Sequence, residues 1–148
     1  ELGYNSRLDE VHAEILRYKL SKLEGYIDSR RRIAARYKVI LAETSLELPI
    51  VKECNSHVYY VYVVRHPRRD ELIAELKKKD ILLNISYPWP IHTMKAFSHL
   101  GYLDGDLPIT ELAALQIFSL PMYPTLTTEQ QDTVCMALGE ILDEAVGL

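Results

Sequence analysis

The sequence predicts an α/β fold: a long N-terminal helix, then a small mixed sheet of about three strands with helices packed on it. Apolar residues recur mostly every three to five positions between residues 8 and 41, which is typical of an amphipathic helix. After residue 42, segments rich in β-branched and aromatic residues alternate with helical patterns. With 148 residues, 48% of them apolar and 26% charged, the chain can bury a core of its own.

The long helix is predicted from the apolar positions Leu8, Val11, Ile15, Leu20, Leu23, Ile27, Ile33, Tyr37 and Leu41. Ser6 with Asp9 is a start signal of the capping-box type, and Gly25 is a weak point where the helix could kink or split. Unbroken, such a helix is about 50 Å long, whereas a domain of this size has a radius of gyration of about 15 Å. We therefore expect either that the helix breaks or that its first half packs against another folded unit.

Three later segments are predicted to be strands, because they are short and rich in β-branched or aromatic residues. They are residues 57–64 (HVYYVYVV), 81–87 (ILLNISY) and 116–123 (QIFSLPMY). The first is continuously apolar after its histidine and is expected to be buried on both faces. Pro88 and Pro90 end the second, because proline cannot donate a hydrogen bond to a neighbouring strand.

Three shorter helices are predicted beside these strands. One opens at Pro67 and ends in the lysines at 77–79, whose charges suit the helix dipole. A short helix begins at Thr110 and Glu111, after Pro108. The final helix begins at a capping box formed by Thr127 and Gln130.

Composition and motifs argue against several functional classes. A net charge of −4 gives no basic field for nucleic acid or an anionic membrane surface, and no apolar run approaches the roughly 18 residues of a membrane span. Cys54 and Cys135 fit no ligand or disulfide spacing, which favours reduced thiols in a cytoplasmic protein. Single histidines form no metal set, and His12 and His66 are expected at the surface. The GxSxG, P-loop, GxGxxG and HExxH motifs are absent.

Residues 3–7 (GYNSR) form the first stretch that could carry chemistry. A helix N-terminus offers free N–H groups and a partial positive charge, to which Asn5 adds an amide donor and Arg7 a planar cation. Together these groups suit a phosphate or a carboxylate. The competing interpretation is an ordinary helix cap followed by a surface arginine.

Residues 86–97 (SYPWPIHTMKAF) form the second such stretch. Tyr87, Trp89 and His92 lie on a proline-stiffened loop directly after a predicted strand, and loops of this kind often carry binding residues. The competing interpretation makes Trp89 a lid over the core. The charge runs at 30–32 and 77–79 are interpreted as solvated faces.

The sequence resembles the C-terminal portion of the DegT/DnrJ/StrS sugar aminotransferases, from residue 2 to about residue 142. The stretches that carry the resemblance are LGYNSRLDEVHAEILRYKLSKLEGYIDSRRRIAARYKVIL, YYVYVV, RDELIAELKKKDI, YPWPIH, LGYLDGDLPITELA and SLPMYPTLT. They occur in the order and spacing of the family. Three of them, GYNSRLDE, YPWPIH and SLPMYPTLT, are separate motifs.

The resemblance implies a homodimeric, pyridoxal-phosphate-dependent enzyme of the aspartate-aminotransferase fold (fold type I). Such enzymes transfer an amino group, usually from glutamate, to a keto carbon of a nucleotide-linked sugar. In the family, the Schiff-base lysine and the carboxylate near the pyridine nitrogen lie upstream of the GYNSR segment. No lysine here stands in a context like the family's Ser-Phe-His-x-x-Lys motif. We therefore expect a C-terminal part of a larger enzyme, without a catalytic residue and inactive alone.

The resemblance also implies roles for single residues. Asn5 is similar to the family residue that reaches across the dimer to the cofactor phosphate, and Arg7 would face substrate anions beside it. Tyr87 and His92 would form a wall of the sugar-nucleotide pocket, although Ser86 stands where the family often has histidine. Residues 1–41 would form an interdomain and dimer-interface region, and residues 42–148 the small C-terminal domain.

Two alternatives remain open at this point. One is a sugar dehydratase of the same family, in which a histidine replaces the Schiff-base lysine. The other is a non-catalytic α/β module that dimerises through its exposed helix.

Overall fold

The computed structural model describes residues 8–144. Within that range the elements, in chain order, are α1 (Glu10–Ile40), β1 (Tyr62–Arg65), α2 (Arg69–Lys78), α3 (Pro108–Gln116), β2 (Ile117–Leu120) and α4 (Thr128–Glu144). Two 3₁₀ turns, Ile91–Thr93 and Lys95–Leu100, lie between α2 and α3. The described chain is therefore an α/β fold in which helices outweigh a very small sheet.

Helix α1 is continuous for 31 residues, so the expected weak point at Gly25 does not break it. A Cβ atom added at Gly25 would meet nothing within 4 Å, which shows that the glycine lies on an open side of the helix. The cap of α1 is Asp9, whose carboxylate accepts a hydrogen bond from the His12 backbone N–H at 2.8 Å. The prediction made Ser6 the cap and Asp9 its partner inside the helix; the role of Asp9 is corrected, because Asp9 is itself the cap, and Ser6 lies outside the described residues.

The two halves of α1 differ in what covers them. Its buried residues, Ile33, Ala34 and Tyr37, all lie in the second half. Large apolar side chains on and just before the first half are exposed, namely Leu8, Val11, Ile15, Leu16, Tyr18, Leu20, Leu23 and Tyr26. Only the second half of α1 therefore contributes to the core of the described chain.

The sheet consists of two antiparallel strands rather than the three predicted. Strands β1 and β2 pair in the register Tyr62 with Leu120 and Arg65 with Ile117. Residues 81–87 are not a strand, since they meet β2 only where the Ser119 N–H donates to the Asn84 carbonyl at 2.8 Å. Strand β2 has four residues and is followed by a proline without an N–H, so it offers no longer edge for pairing.

The prediction of a strand over residues 57–64, buried on both faces, is also wrong. Strand β1 begins at Tyr62, and only Tyr62 and Val64 are fully buried, so one face packs on the core. Tyr59 has a left-handed backbone with φ of 48°, which interrupts an extended chain. On its other side β1 has a single bridge, to Glu47.

The three shorter helices occur where the sequence predicts them, with shifted starts for two. Helix α2 begins two residues after Pro67, and α3 begins at Pro108, which occupies its first position. The capping box of α4 is confirmed: the Gln130 N–H donates to the Thr127 hydroxyl at 3.2 Å, and the Gln130 side chain accepts from the Thr127 N–H at 3.0 Å.

The core lies between the sheet and helices α1, α2 and α4. Its fully buried large side chains are Tyr37, Leu41, Tyr62, Val64, Leu72, Leu76, Phe118 and Leu138. Polar contacts fix α1 on its neighbours: the Tyr37 hydroxyl donates to the Pro121 carbonyl at 3.0 Å, and the Gln131 side-chain amide donates to the Ile33 carbonyl at 2.8 Å. Burial raises the pKa of Tyr62 to about 12, as expected for a phenol inside a core.

His66 is buried, which contradicts its expected place at the surface. Its Nδ1 accepts from the Arg68 N–H at 3.1 Å, so Nε2 carries the proton and faces the Ser45 hydroxyl at 3.2 Å. Burial lowers the pKa of His66, Arg68 lowers it further, and Glu71 opposes them. The folded chain therefore holds this imidazole neutral.

We expect the free energy of unfolding to fall as the pH drops below about 6.5, the ordinary histidine pKa, because the unfolded chain then binds a proton that folded His66 does not. This stability is present above pH 6.5 and is lost as the pH falls toward the lowered pKa of the folded state. Urea unfolding between pH 5 and 8 measures it. In the His66→Gln variant the part of the pH dependence of the free energy of unfolding that comes from His66 should disappear. The His99→Gln variant, changed at an exposed position, should keep this pH dependence.

Candidate functional site

Two of the four predicted binding residues, Asn5 and Arg7, lie outside the described residues. The described chain begins directly after them, at Leu8, and the exposed Asp9 carboxylate lies beside His12 at the start of α1. The GYNSR stretch therefore stays a prediction.

The other two predicted residues lie at the start of the long connection between α2 and α3. Gly101 and Gly105 have φ of 79° and 94°, a left-handed conformation that residues with a Cβ rarely adopt. Gly101 ends the second 3₁₀ turn, where its N–H donates to the Ser98 carbonyl at 3.1 Å. The glycines thus turn the connection back toward the first turn of α3.

His92, in this connection, meets Glu111, in the first turn of α3. The His92 Nε2 and Glu111 Oε1 atoms lie 2.9 Å apart, and the Gly105 N–H donates to both Glu111 oxygens at 2.9 Å. The N–H of Leu107, the residue before α3, donates to Oε1 at 3.2 Å. We call His92, Glu111 and these two N–H groups the Glu111 cluster. It joins the first 3₁₀ turn, the turn at Gly105 and helix α3.

The electrostatics of the Glu111 cluster favour an ionised carboxylate. The hydrogen bond from His92 lowers the pKa of Glu111 most, the Gly105 and Leu107 N–H groups lower it further, and burial partly opposes them. An ionised carboxylate only accepts hydrogen bonds, so the His92 Nε2 atom carries a proton. His92 is only 7% exposed, and the edge of its ring contacts Tyr102 at 6.2 Å between ring centres.

Tyr87 and Trp89 differ from His92 in being open to solvent. They are 70% and 68% exposed, so Trp89 does not act as a lid over the core of the described chain. No hydrogen bond or ring contact joins Tyr87 to His92 within residues 8–144, so the structure does not bring this predicted pair into direct contact. Further apolar side chains on the same connection are exposed, namely Ile91, Leu100, Leu103 and Leu107, as is Ile109 at the start of α3.

Ser86 lines a separate groove of about 280 Å³ beside the sheet. Its hydroxyl accepts a long hydrogen bond from the Asn84 side-chain amide at 3.4 Å. Tyr60 and Tyr123 line the same groove, so it combines aromatic rings with amide and hydroxyl groups. The residue that stands in place of the family's frequent histidine is therefore accessible to a ligand.

Sequence reasoning missed Glu111 as part of a site and used it only as the start of a helix. Its partner His92 is 19 residues away, and no local pattern connects the two. The usable signals were an acidic residue in the first turn after a proline, and two glycines between it and the YPWPIH loop.

All eight lysines of the chain are exposed, namely Lys19, Lys22, Lys38, Lys52, Lys77, Lys78, Lys79 and Lys95. A lysine that binds pyridoxal phosphate covalently is activated by a desolvated pocket or by a neighbouring cation in such a pocket. These exposed lysines do not fit that role.

Residues 8–144 also bear on membrane insertion, metal binding and thiol chemistry. No helix there is long and apolar enough to cross a membrane, and no three His, Cys, Asp or Glu side chains of that range are placed to hold a metal ion. Cys54 is exposed and Cys135 buried, and both are free thiols. Burial raises the pKa of Cys135 to about 11, which makes it an inert core thiol.

Comparison with known proteins gives matches along nearly the whole chain. The model of the DegT/DnrJ/EryC1/StrS aminotransferase family matches residues 1–139. The dTDP-3-amino-3,4,6-trideoxy-alpha-D-glucose transaminase of Micromonospora megalomicea subsp. nigra is 57% identical over 145 residues, which cover 95% of this chain and 39% of that protein.

Two solved structures extend the comparison to the fold. DesV of S. venezuelae, in complex with a ketimine intermediate, has a TM-score of 0.90 at 35% identity, over 95% of this chain and 38% of its own. NtdA from Bacillus subtilis, with bound cofactor PMP, has a TM-score of 0.85 at 28% identity, over 95% of this chain and 34% of its own. The described fold is thus that of one segment of these proteins, and the chain spans less than half of their length.

Proposed function

Because this chain belongs to the DegT/DnrJ/EryC1/StrS aminotransferase family, we propose that it is the C-terminal part of a pyridoxal-phosphate-dependent nucleotide-sugar aminotransferase. The complete enzyme would transfer an amino group, from glutamate, to a keto group of a nucleotide-linked sugar. The observation that carries the proposal is the 57% identity to a dTDP-sugar transaminase over 95% of this chain but only 39% of that protein.

The cofactor would be held mainly by residues that this chain lacks. Pyridoxal phosphate supplies the electron sink for amino-group transfer when bound, and the exposed lysines described above support an attachment lysine elsewhere in the complete protein. This chain alone would therefore be inactive.

Asn5 is proposed to contact the cofactor phosphate of the second subunit in a homodimer, with Arg7 facing substrate anions beside it. The support is their position directly before α1 and the family membership of the segment. Titration of the complete protein and its Asn5→Ala variant with pyridoxal phosphate, followed by the absorbance of the bound cofactor, tests this contact. Equal affinities would contradict it.

Residues 1–41 are proposed to join the rest of the enzyme and the dimer, and residues 42–148 to form the small domain. The support is an apolar groove of about 500 Å³ along the first half of α1, lined by Leu16, Leu20 and Leu23 among others. Soluble single proteins rarely leave such a stripe bare. Hydrogen exchange in the complete protein tests this: these amides should be slower there than in the 148-residue chain, and equal rates would contradict the assignment.

The activity of the protein encoded by the complete open reading frame tests the proposed aminotransferase function. The protein, pyridoxal phosphate, ¹⁵N-glutamate and a dTDP-linked keto sugar are incubated, and the sugar nucleotides are analysed by mass spectrometry. We expect ¹⁵N in the sugar with the complete protein and none with the 148-residue chain. Loss of an oxygen without ¹⁵N would instead indicate the dehydratase, and no change with any keto sugar would favour the non-catalytic module.

A further inference from the structure

We propose that Glu111 is a positioning residue for substrate binding: it fixes the His92 ring so that Nδ1 presents a hydrogen-bond acceptor to a hydroxyl group of the sugar. This inference rests on the proposed function and adds to it a residue that the family resemblance did not supply. It is carried by the geometry of the Glu111 cluster, whose donors come from two separate segments of the chain, the first 3₁₀ turn and residues 105–107.

The proton on His92 is placed by its partner. Glu111 is an acceptor toward the Gly105 and Leu107 N–H groups, so its carboxylate also accepts from the His92 Nε2–H. In the neutral imidazole the other ring nitrogen, Nδ1, is then an acceptor. Within residues 8–144, Nδ1 has no hydrogen-bond partner, and it is not fully enclosed. In the uncharged ring an acceptor of fixed direction is thus left available, although the ring is otherwise buried.

The carboxylate itself is already engaged. Both Glu111 oxygens accept from Gly105, and Oε1 also accepts from Leu107 and His92. Glu111 would therefore act through His92 rather than by touching the substrate. A hydroxyl donor is the chemistry that matches an acceptor nitrogen, and sugars carry several hydroxyls.

The first experiment compares steady-state kinetics of the complete enzyme with its Glu111→Gln variant. The glutamine side chain keeps the size but loses the negative charge, and its single oxygen must serve the Gly105, Leu107 and His92 donors, so it holds the His92 ring less firmly. We expect the KM for the nucleotide sugar to rise by roughly tenfold while kcat stays within about twofold, since a ground-state contact is lost. Glu43→Gln, at an exposed position, is the matched control and should leave both constants unchanged.

A second readout separates positioning from general loosening of the fold. The reaction of the bound cofactor with glutamate alone involves no sugar, so Glu111→Gln should leave its rate unchanged. If instead this rate falls, the KM for the sugar rises and the melting temperature falls together, the role of Glu111 is structural and the inference is wrong.

A double-mutant cycle tests whether Glu111 acts through His92. In a His92→Phe background, Glu111→Gln should change the KM no further, because the ring nitrogen that it positions is gone. Additive effects would overturn the inference. A wild-type protein that aminates no keto sugar would overturn the proposed function, and with it this role. An active wild type whose KM is unaffected by Glu111→Gln would overturn this inference alone.

Discussion

Replacing Leu138 by alanine is expected to lower the free energy of unfolding by about 3 kcal/mol. Leu138 lies in α4, is 0% exposed, and packs in the core that α4 shares with α1 and α2. The substitution removes apolar atoms from water-free surroundings and leaves a cavity that rigid helices fill only in part. Alanine is at least as good a helix former as leucine, so the loss would come from packing and not from α4 itself.

Leu82→Ala is the matched control, because the same atoms are removed from a side chain that is 75% exposed. It should change the free energy of unfolding by no more than about 0.5 kcal/mol. Urea unfolding followed by circular dichroism measures both variants against the parent chain. Equal losses for the two variants would mean that the core does not lie where α1, α2 and α4 meet.

The helices were predictable because their signals are local. The amphipathic spacing of apolar residues in α1 and the capping box at Thr127 and Gln130 each lie within a few residues of the structure they determine. Even so, the start of α1 was placed too early, because Ser6 and Asp9 both suit a helix cap and local chemistry does not rank them.

The sheet was less predictable, because a strand depends on a partner that is distant in sequence. Residues 81–87 alternate between buried and exposed as a strand does, yet they have only one bridge to β2, whose edge ends after four residues. Residues 57–61 have strand-like composition, but the left-handed backbone of Tyr59 separates them from β1. Composition thus predicted segments that overlap β1 and β2, but not which of their residues pair.

The candidate site was predicted in part for the same reason. Pro88 and Pro90 mark the loop in the sequence, so Tyr87 and His92 could be nominated from local pattern and family resemblance. That His92 turns inward onto Glu111 depends on a chain reversal through two left-handed glycines. Such a reversal is a property of the tertiary fold. A single sequence does not show which of several carboxylates is brought next to His92.

Replacing Arg69 by methionine is expected to lower the free energy of unfolding by about 2 kcal/mol. The Arg69 side chain is only 10% exposed, and its guanidinium donates to the carbonyl of Ala114 near the end of α3 and to Asp70. Methionine keeps the apolar stem but leaves the Ala114 carbonyl unpaired in a buried position, and it removes a cation from the negative end of a helix. Arg68→Met is the control, because Arg68 forms only a more exposed pair with Glu71 and should cost about 0.5 kcal/mol or less.

The Arg69 substitution should also reach the candidate site, because α3 is the helix that carries Glu111. If Arg69 holds the end of α3 in place, its loss should let the first turn of the helix move and weaken the bonds from the Gly105 and Leu107 N–H groups. Amide hydrogen exchange at these two residues should therefore be faster in Arg69→Met and unchanged in Arg68→Met. Loss of stability without faster exchange there would show that the Glu111 cluster is held by its own turn, with α2 playing no part.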